Sequence, residues 1–369
     1  MRTRETWIEV DLSRLNKNIE TILAHTKKSL FAVVKANAYG HGDIAISKQC
    51  IASGVEYLCV SSLDEALHIR KHHVPSPILV MGYVSPDWLD VALSSNITIS
   101  IISFEWLEKS LETLAKYPQA KVHIKIDTGM NRLGIKSEEE FLQVLDLLRS
   151  IQCQPEGIYT HFLESSNTNK DTNQKQSSMF RHYLSLAKQP FRYIHTSNTD
   201  ATFAFEEDYT NAVRCGLAMY GYSSVPSNVL PILSLYTKIS QKKWLVKGES
   251  VSYGARYVSE KNHATATLPI GYADGISRHL SGLPVYIQGK KSCILGTICM
   301  DQLIITLDGI DANVGDVVEI IGPHQSVRSL SDWTQTIHYE ILTGLSDRIT
   351  RYYLEEGKVV QQVNLRYES

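Results

Sequence analysis

The chain has 369 residues, of which 43% are hydrophobic and 21% charged, and its net charge is -2. This length and composition are ordinary for a globular protein of two domains, and the near-neutral charge gives no electrostatic support for a nucleic-acid partner. The opening residues MRTRETWIEVDL contain no apolar signal region, and no apolar run approaches the length that spans a bilayer. We therefore expect a cytoplasmic protein with no membrane association.

Eight short apolar runs between residues 30 and 221 predict β-strands, and segments with helical periodicity lie between them. Eight alternating strand and helix units predict a (β/α)8 TIM-type barrel. The strands are predicted at residues 30–35, 56–60, 77–84, 97–102, 121–127, 156–162, 192–198 and 212–221.

After about residue 230 the pattern changes to short β-rich runs separated by glycine-containing turns. The predicted fold class is therefore α/β plus β, with a cofactor-binding barrel at 1–230 and a mostly β C-terminal domain at 231–369. The run WIEVDL near the start of the chain is also β-like. Residues 1–10 precede the barrel, and pairing of this run with the later domain is an alternative to its belonging to the barrel domain.

Polar side chains end the predicted barrel strands or lie just beyond them, at the end where barrels of this kind place their chemistry. The first is Lys35 in FAVVKANAYGHG, and a lysine in this position either extends toward solvent or is held ready for reaction. The other polar groups predicted at the same end favour a reactive lysine in a binding site. They are Asp127, Arg132, His161, Asn198, Thr199 and Arg214.

A phosphate site is predicted after the seventh and eighth strands, where barrels often bind phosphate. Thr199 offers a hydroxyl there, Gly216 and Leu217 offer backbone N–H groups, and Tyr39 offers a phenol to the same anion. A phosphate site beside a buried lysine suggests pyridoxal 5'-phosphate as cofactor, because this molecule needs an amine for its aldehyde and an anchor for its phosphate.

Eight motifs give the chain a resemblance that covers nearly its whole length. They are AVVKANAYGHG, KIDTGMNRLG, GIYTHF, HTSNT, VRCGLAMYG, VSYGARY, GYADGISR and GTICMDQ. In this order they resemble the alanine racemase family, whose members combine a barrel with a C-terminal β domain. The resemblance implies a pyridoxal-phosphate isomerase that interconverts L-alanine and D-alanine and supplies D-alanine for bacterial peptidoglycan.

The resemblance also implies a role for each site residue. Lys35 binds the cofactor covalently and acts as one base, Tyr253 is the second base on the opposite face of the substrate, and a homodimer shares its two active sites. Lys125 matches a lysine that is carbamylated in some relatives. Arg214 contacts the pyridine nitrogen of the cofactor and His161 lies by its ring. The other residues that contact the cofactor are Tyr39, Asn198, Thr199, Gly216 and Leu217. Arg132 and Met300 bind the substrate, and Lys125, Asp301 and Asp347 have supporting roles.

Three residues depart from the family pattern and leave the substrate range open. Cys215 stands where many members have proline, Thr297 where many have arginine, and Asp347 where a tyrosine often stands. Racemisation of serine or of several amino acids is therefore an alternative to alanine.

Two other classes of protein are alternatives to a racemase. A non-catalytic pyridoxal-phosphate carrier would lack the β domain, and a related decarboxylase would have an acid in place of Arg214 together with a glycine-rich phosphate loop.

Overall fold

The protein is described from a computed structural model, which describes residues 3–165, 170–205 and 207–366. The described chain forms two compact units. One contains residues 15–38 and the described part of 43–230, and the other contains residues 3–14, 39–42 and 231–366. Among the described residues, no helix combines the length and the apolar character that crossing a bilayer requires. The strands are numbered along the chain from β1 (Thr6–Asp11).

The unit built around residues 43–230 is a closed barrel of eight parallel strands, which confirms the predicted fold. The first and last of these strands pair in parallel through Ser29 and Ala212, and this pairing closes the barrel. The strands are β2 (Ser29–Val33), β3 (Tyr57–Val60), β4 (Ile78–Val80), β5 (Thr98–Ile101), β6 (Val122–Lys125), β7 (Gly157–Tyr159), β8 (Tyr193–His195) and β9 (Ala212–Cys215).

Helices connect successive barrel strands, and several begin at a serine that caps the first turn. Ser62, Ser103 and Ser137 each accept a hydrogen bond from a backbone N–H of the helix that follows. Such caps satisfy N–H groups that the first turn leaves without a partner. The helix Leu12–Thr26 precedes the first barrel strand, and those between barrel strands are Asp43–Ala52, Leu63–Lys71, Leu89–Ser94, Phe104–Ala115, Glu138–Ser150, Lys170–Ala187 and Thr199–Ala204, with a 3-10 turn at Pro86–Trp88.

The barrel strands are shorter than the apolar runs that predicted them. The prediction that Lys35 ends the first strand is wrong, because β2 ends at Val33 and Lys35 opens the turn that follows. His161 and Asn198 likewise lie beyond the last residues of β7 and β8. An apolar run therefore marks a strand together with the start of the loop after it.

The second unit is built on a ten-stranded sheet with the order β11-β14-β17-β16-β15-β18-β10-β1-β19-β20, and β12 and β13 form a separate pair. Residues 3–14 belong to this unit, although the predicted division at residue 230 placed them with the barrel. They do so because β1 is a strand of this sheet, antiparallel to β10 and parallel to β19. The helices are Val327–Thr334 and His338–Thr343. The strands are β10 (Leu233–Lys238), β11 (Gln241–Leu245), β12 (Ser250–Val251), β13 (Tyr257–Val258), β14 (His263–Leu268), β15 (Pro284–Ile287), β16 (Lys290–Leu295), β17 (Leu303–Thr306), β18 (Val317–Ile321), β19 (Thr350–Glu355) and β20 (Lys358–Val363).

Candidate functional site

Basic side chains are concentrated at the carboxyl ends of the barrel strands. Lys125, the last residue of β6, and Arg214 in β9 are both buried, with 6% and 3% of their surface exposed. Lys35 is half-buried after β2, and Arg132 is exposed in the loop after β6. Because the carboxyl ends of parallel strands meet on one face of a barrel, these cations share that face and favour an anionic ligand.

The cations at this face change the pKa values of the two lysines. Burial and the charge of Arg132 lower the pKa of Lys35, against a smaller opposing effect of Glu65. Burial and the charges of Arg132 and Arg214 lower the pKa of Lys125 to about 8. A larger fraction of both amines is therefore neutral near pH 7 than in an exposed lysine, and the neutral form is the nucleophile and the base.

The guanidinium of Arg214 is fixed by five contacts inside the barrel. Its Nη1 donates to Nδ1 and to the backbone carbonyl of His195, both at 2.8 Å. Its Nη2 donates to the carbonyls of Thr160 at 2.7 Å and Thr196 at 3.0 Å, and lies 3.3 Å from Nδ1 of His161. Among the described residues, Nε of Arg214 has no hydrogen-bond acceptor, so this N–H remains available to a ligand.

His161 accepts a hydrogen bond from Arg214 because its ring is neutral. Burial and the charges of Arg214 and Arg132 lower the pKa of His161 to about 3. A neutral imidazole accepts through one nitrogen and donates through the other. With Nδ1 facing the guanidinium, Nε2 carries the proton and is the nitrogen that can donate to another group.

The loop after β9 closes against the first residue of the helix Thr199–Ala204. The hydroxyl of Thr199 accepts from the N–H groups of Gly216 at 3.3 Å and Ala218 at 3.4 Å. The N–H of Leu217, between them, has no acceptor within the described part of the chain. The structure thus brings three predicted phosphate ligands together, with one free N–H among them.

Two further residues predicted to bind the cofactor have local structural contacts. The side chain of Asn198 accepts from the N–H of Ala201 at 3.1 Å and caps the short helix. Tyr39 is buried in the other unit, where its ring centroid lies 5.6 Å from that of Tyr339. The side-chain oxygen of Asn198 therefore has a structural partner at the helix end.

Lys35 opens a left-handed turn of four consecutive non-glycine residues. Ala36, Asn37, Ala38 and Tyr39 have φ values of 51, 53, 50 and 54°. This conformation costs roughly 1–2 kcal/mol per residue with a Cβ. The carboxylate of Glu65 offsets part of this cost by accepting from the N–H of Ala36 at 2.7 Å.

Tyr253 and Met300 are exposed in the second unit, with 72% and 53% of their surface accessible. The backbone on either side of Tyr253 is unusual, since Ser252 and Gly254 have φ values of 65 and 75°. The hydroxyl of Thr297 donates to the carbonyl of Tyr253 at 2.9 Å and holds this turn. The N–H of Met300 has no acceptor among the residues that the structure describes.

Asp301 and Asp347 both lie near arginines of the second unit. Arg348 donates through Nη2 to Asp301 and through Nε to the buried Asp274, each at 2.7 Å. The carboxylate of Asp347, with 60% of the side chain exposed, lies 3.8 Å from Nη2 of Arg351. Arg348 therefore links Asp301 to Asp274, whereas the exposed side chain of Asp347 lies beside Arg351.

Two residues near the predicted site were not identified from the sequence. His195 binds Arg214, and Glu65 binds the turn that follows Lys35. The sequence shows His195 only as a histidine at the end of a buried strand. A histidine in that position is more commonly interpreted as a packed core residue. Glu65 occupies the third position of a helix capped by Ser62, and this pattern alone predicts only a capping box.

Comparison with known proteins gives matches along almost the whole chain. Residues 10–224 match the family model described as alanine racemase, N-terminal domain, and residues 232–353 match the model described as alanine racemase, C-terminal domain. The alanine racemase of Halalkalibacterium halodurans is 38% identical over 381 residues, and the alignment covers 98% of each chain.

Solved structures give the same result for the fold. The crystal structure of alanine racemase from Bacillus anthracis with bound L-Ala-P superposes with a TM-score of 0.94 at 34% identity, covering 99% of this chain and 98% of that one. Alanine racemase from Bartonella henselae, with covalently bound pyridoxal phosphate, superposes with a TM-score of 0.86 at 28% identity, covering 95% of this chain and 99% of that one.

The fold and the comparisons define the class of protein as an isomerase of amino acids, built from a parallel barrel and a separate β unit. The cationic face of the barrel, with its amines of lowered pKa, is suited to such chemistry. The chain belongs to the alanine racemase family, and its activity is racemisation.

Proposed function

We propose that the protein interconverts L-alanine and D-alanine with pyridoxal 5'-phosphate and supplies D-alanine for peptidoglycan in the bacterial cytoplasm. The observation that carries the proposal is a half-buried Lys35 with a lowered pKa on the same barrel face as Arg214. Two relatives support it, since the Bartonella henselae racemase has covalently bound pyridoxal phosphate and the Bacillus anthracis racemase has bound L-Ala-P.

The donor groups present fit this cofactor. Lys35 supplies the amine that its aldehyde needs, Nε of Arg214 is a free donor for the pyridine nitrogen, and the N–H of Leu217 beside Thr199 suits the phosphate. When bound, the cofactor would accept the negative charge that develops at the substrate Cα as its proton leaves. We propose that Tyr39, Gly216 and Asn198 complete this binding site.

Two bases are needed because a racemase removes a proton from one face of Cα and delivers one to the other. We propose Lys35 for the first face, since its lowered pKa increases the fraction of neutral amine. We propose Tyr253 for the second, and its 72% exposure in a single chain supports a homodimer in which it serves the partner's site. Each site would then contain residues of both chains.

The substrate carboxylate requires donors on the same side as the reacting carbon. We propose Arg132 and the N–H of Met300 for this contact, because both are accessible and this N–H lacks an acceptor among the described residues. Lys125 has a pKa of about 8, which leaves enough neutral amine to react with carbon dioxide and form a carbamate, and this carbamate would orient Arg132. Asp301 would hold the segment that follows Met300 through Arg348.

Arg214 is proposed to select racemisation over competing reactions. A guanidinium remains charged at all relevant pH values and cannot accept the proton of a pyridinium, so the cofactor would be a weaker electron acceptor. We expect Arg214→Glu to lower racemisation strongly and to release a keto acid, because a carboxylate can share that proton. The measurement is chiral chromatography combined with a keto-acid assay, and an Arg214→Glu protein with a normal rate and no keto acid would contradict this role.

Racemisation of serine is a second candidate, favoured by the exposed carboxylate of Asp347 where many relatives have a tyrosine. We expect Asp347→Tyr to shift the rate ratio from serine toward alanine, because a bulky ring would narrow the entrance. The measurement is the ratio of kcat/KM for the two substrates, with Asp347→Asn as the control for charge alone. An unchanged ratio in Asp347→Tyr would place Asp347 outside the substrate path.

The proposed function is tested directly with a panel of L- and D-amino acids. Purified protein is incubated with each enantiomer and pyridoxal phosphate, and the products are separated by chiral chromatography. Interconversion of alanine at a rate above that of every other amino acid is expected. A faster rate on serine would support the second candidate, and no turnover of any amino acid would contradict both.

A further inference from the structure

A line of buried polar side chains crosses the interior of the barrel from Arg214 to the opposite end. We propose that Glu156, which immediately precedes β7, is a positioning residue that orients the Arg214 guanidinium through His123 and His195. The inference about orientation depends only on the barrel, whereas its effect on rate rests on the proposed racemase function.

The distances along this line are short. Nη1 of Arg214 lies 2.8 Å from Nδ1 of His195, and Nε2 of His195 lies 2.9 Å from Nδ1 of His123. Nε2 of His123 lies 3.5 Å from Oε2 of Glu156, within ion-pair range but longer than an ordinary hydrogen bond. Both histidines are fully buried, and the side chain of Glu156 is 11% exposed.

The chemistry of its two ends gives this line one direction. A guanidinium only donates hydrogen bonds, so Nδ1 of His195 must accept and its Nε2 must carry the proton. That proton is donated to Nδ1 of His123, which leaves the proton of His123 on Nε2. A carboxylate only accepts, and the Glu156 carboxylate lies in front of that nitrogen at 3.5 Å, so it favours a proton there even though the distance is too long for an ordinary hydrogen bond. Each histidine is thereby held in one tautomer.

The protonation states agree with this direction. Burial lowers the pKa of His195 well below its usual value and also lowers that of His123, so each ring is neutral with one donor and one acceptor. Burial alone would raise the pKa of Glu156, but the neighbouring His123, the hydrogen bond from Tyr57 and the charge of Lys121 lower it to about 2. Glu156 is therefore an anion at neutral pH.

Packing holds the two rings in place. The ring of Tyr159 stacks on His195 with centroids 4.7 Å apart and planes 8° from parallel. Gly157 provides the space for His123, because a Cβ at this position would lie 2.6 Å from Cε1 of the ring. Tyr57 donates to Oε2 of Glu156 at 2.7 Å, and this bond fixes the carboxylate.

Without the carboxylate the line loses one of the two groups that oppose reversal, and Arg214 alone remains. If His123 carried its proton on Nδ1 it would donate to His195, which would then have to carry its own proton on Nδ1. Two donors, this N–H and Nη1 of Arg214, would face each other across 2.8 Å. The guanidinium would have to move, and the N–H that is free for the ligand would move with it.

The first test measures tautomers by 15N NMR of histidine-labelled, full-length protein loaded with pyridoxal phosphate. His195 and His123 are assigned with the variants His195→Gln and His123→Gln. We expect both rings of the wild type to be protonated at Nε2 only, and His123 to become a mixture of tautomers in Glu156→Leu. Glu156→Gln keeps an oxygen acceptor and should show a smaller change. Protonation of His123 at Nδ1 in the wild type would overturn the proposal.

Glu56 provides a matched control at the same end of the barrel. Its carboxylate accepts from Ser29 at 2.6 Å and from Tyr193, and it makes no contact with either histidine among the described residues. We expect Glu56→Gln to leave both tautomers and the rate unchanged. Gly157→Ala is a second probe, because it displaces the His123 ring without altering any charge and should also disturb the tautomers.

The second test measures kinetics. We expect kcat to fall roughly tenfold in Glu156→Leu, the scale seen when an outer hydrogen-bond partner of a functional side chain is removed, with KM changed less than about twofold. If neither Glu156→Leu nor Gly157→Ala changes the tautomers and kcat, the proposal is overturned. If the tautomers shift as expected but no variant, including the wild type, racemises alanine, the positioning role is supported and the proposed function fails.

Discussion

We expect Lys35→Ala to lose racemase activity by several orders of magnitude and to contain no covalently bound cofactor. Lys35 is proposed to supply both the amine for the aldehyde and one of the two bases, so its removal eliminates two functions at once. Reduction of the wild-type protein with borohydride, followed by peptide mapping, should find the cofactor on the peptide that contains Lys35.

Lys125 provides the control for this experiment. It is the other lysine at the carboxyl ends of the barrel strands with a lowered pKa, and it is more deeply buried than Lys35. Lys125→Gln should still have cofactor attached to Lys35. A label on Lys125, or on any lysine other than Lys35, would contradict the assignment.

We expect two inactive variants, Lys35→Ala and Tyr253→Ala, to restore activity when they are unfolded together and refolded. If each site takes Lys35 from one chain and Tyr253 from its partner, every mixed dimer has one site with both lesions and one intact site. Random pairing makes about half of the dimers mixed, so activity should recover to roughly a quarter of the wild-type value.

The control for this experiment is each variant refolded alone, which should remain inactive. Exchange of subunits is verified independently with two affinity tags of different mass. If both active-site bases came from one chain, every site in the mixture would lack one of them. An inactive mixture with verified exchange would therefore contradict the shared site.

The barrel was predictable because its strands are buried on both faces and leave continuous apolar runs such as Ile78–Val80. The helix starts were also readable, since Ser103 and Ser137 stand in front of amphipathic segments and cap them. Strand ends were less accurate, because the apolar run that contains β2 continues through Val34 after the last strand residue, Val33.

Parts of the site could not be predicted for physical reasons. The turn after Lys35 contains no glycine at its left-handed positions before Gly40, so the usual signal of that conformation is missing. The contact of His195 with Arg214 depends on the register of neighbouring strands and on ring orientation. The roles of Tyr253 and Met300 came from the family resemblance alone, because a tyrosine and a methionine in a β domain have no pattern that distinguishes them from packing residues.

The position of β1 in the sheet has a consequence for the order in which a nascent chain can fold. This strand leaves the ribosome before its hydrogen-bonding partners β10 and β19, which are Leu233–Lys238 and Thr350–Glu355. The barrel strands all lie between Ser29 and Cys215, so they can close while the later residues are still being synthesised. Until β19 emerges, the edge of β1 that it will cover has no partner, and an unpaired strand edge readily joins another chain. The nascent chain therefore carries an open strand edge while it lies close to its neighbours on a polysome, and slower expression should favour its recovery in soluble form.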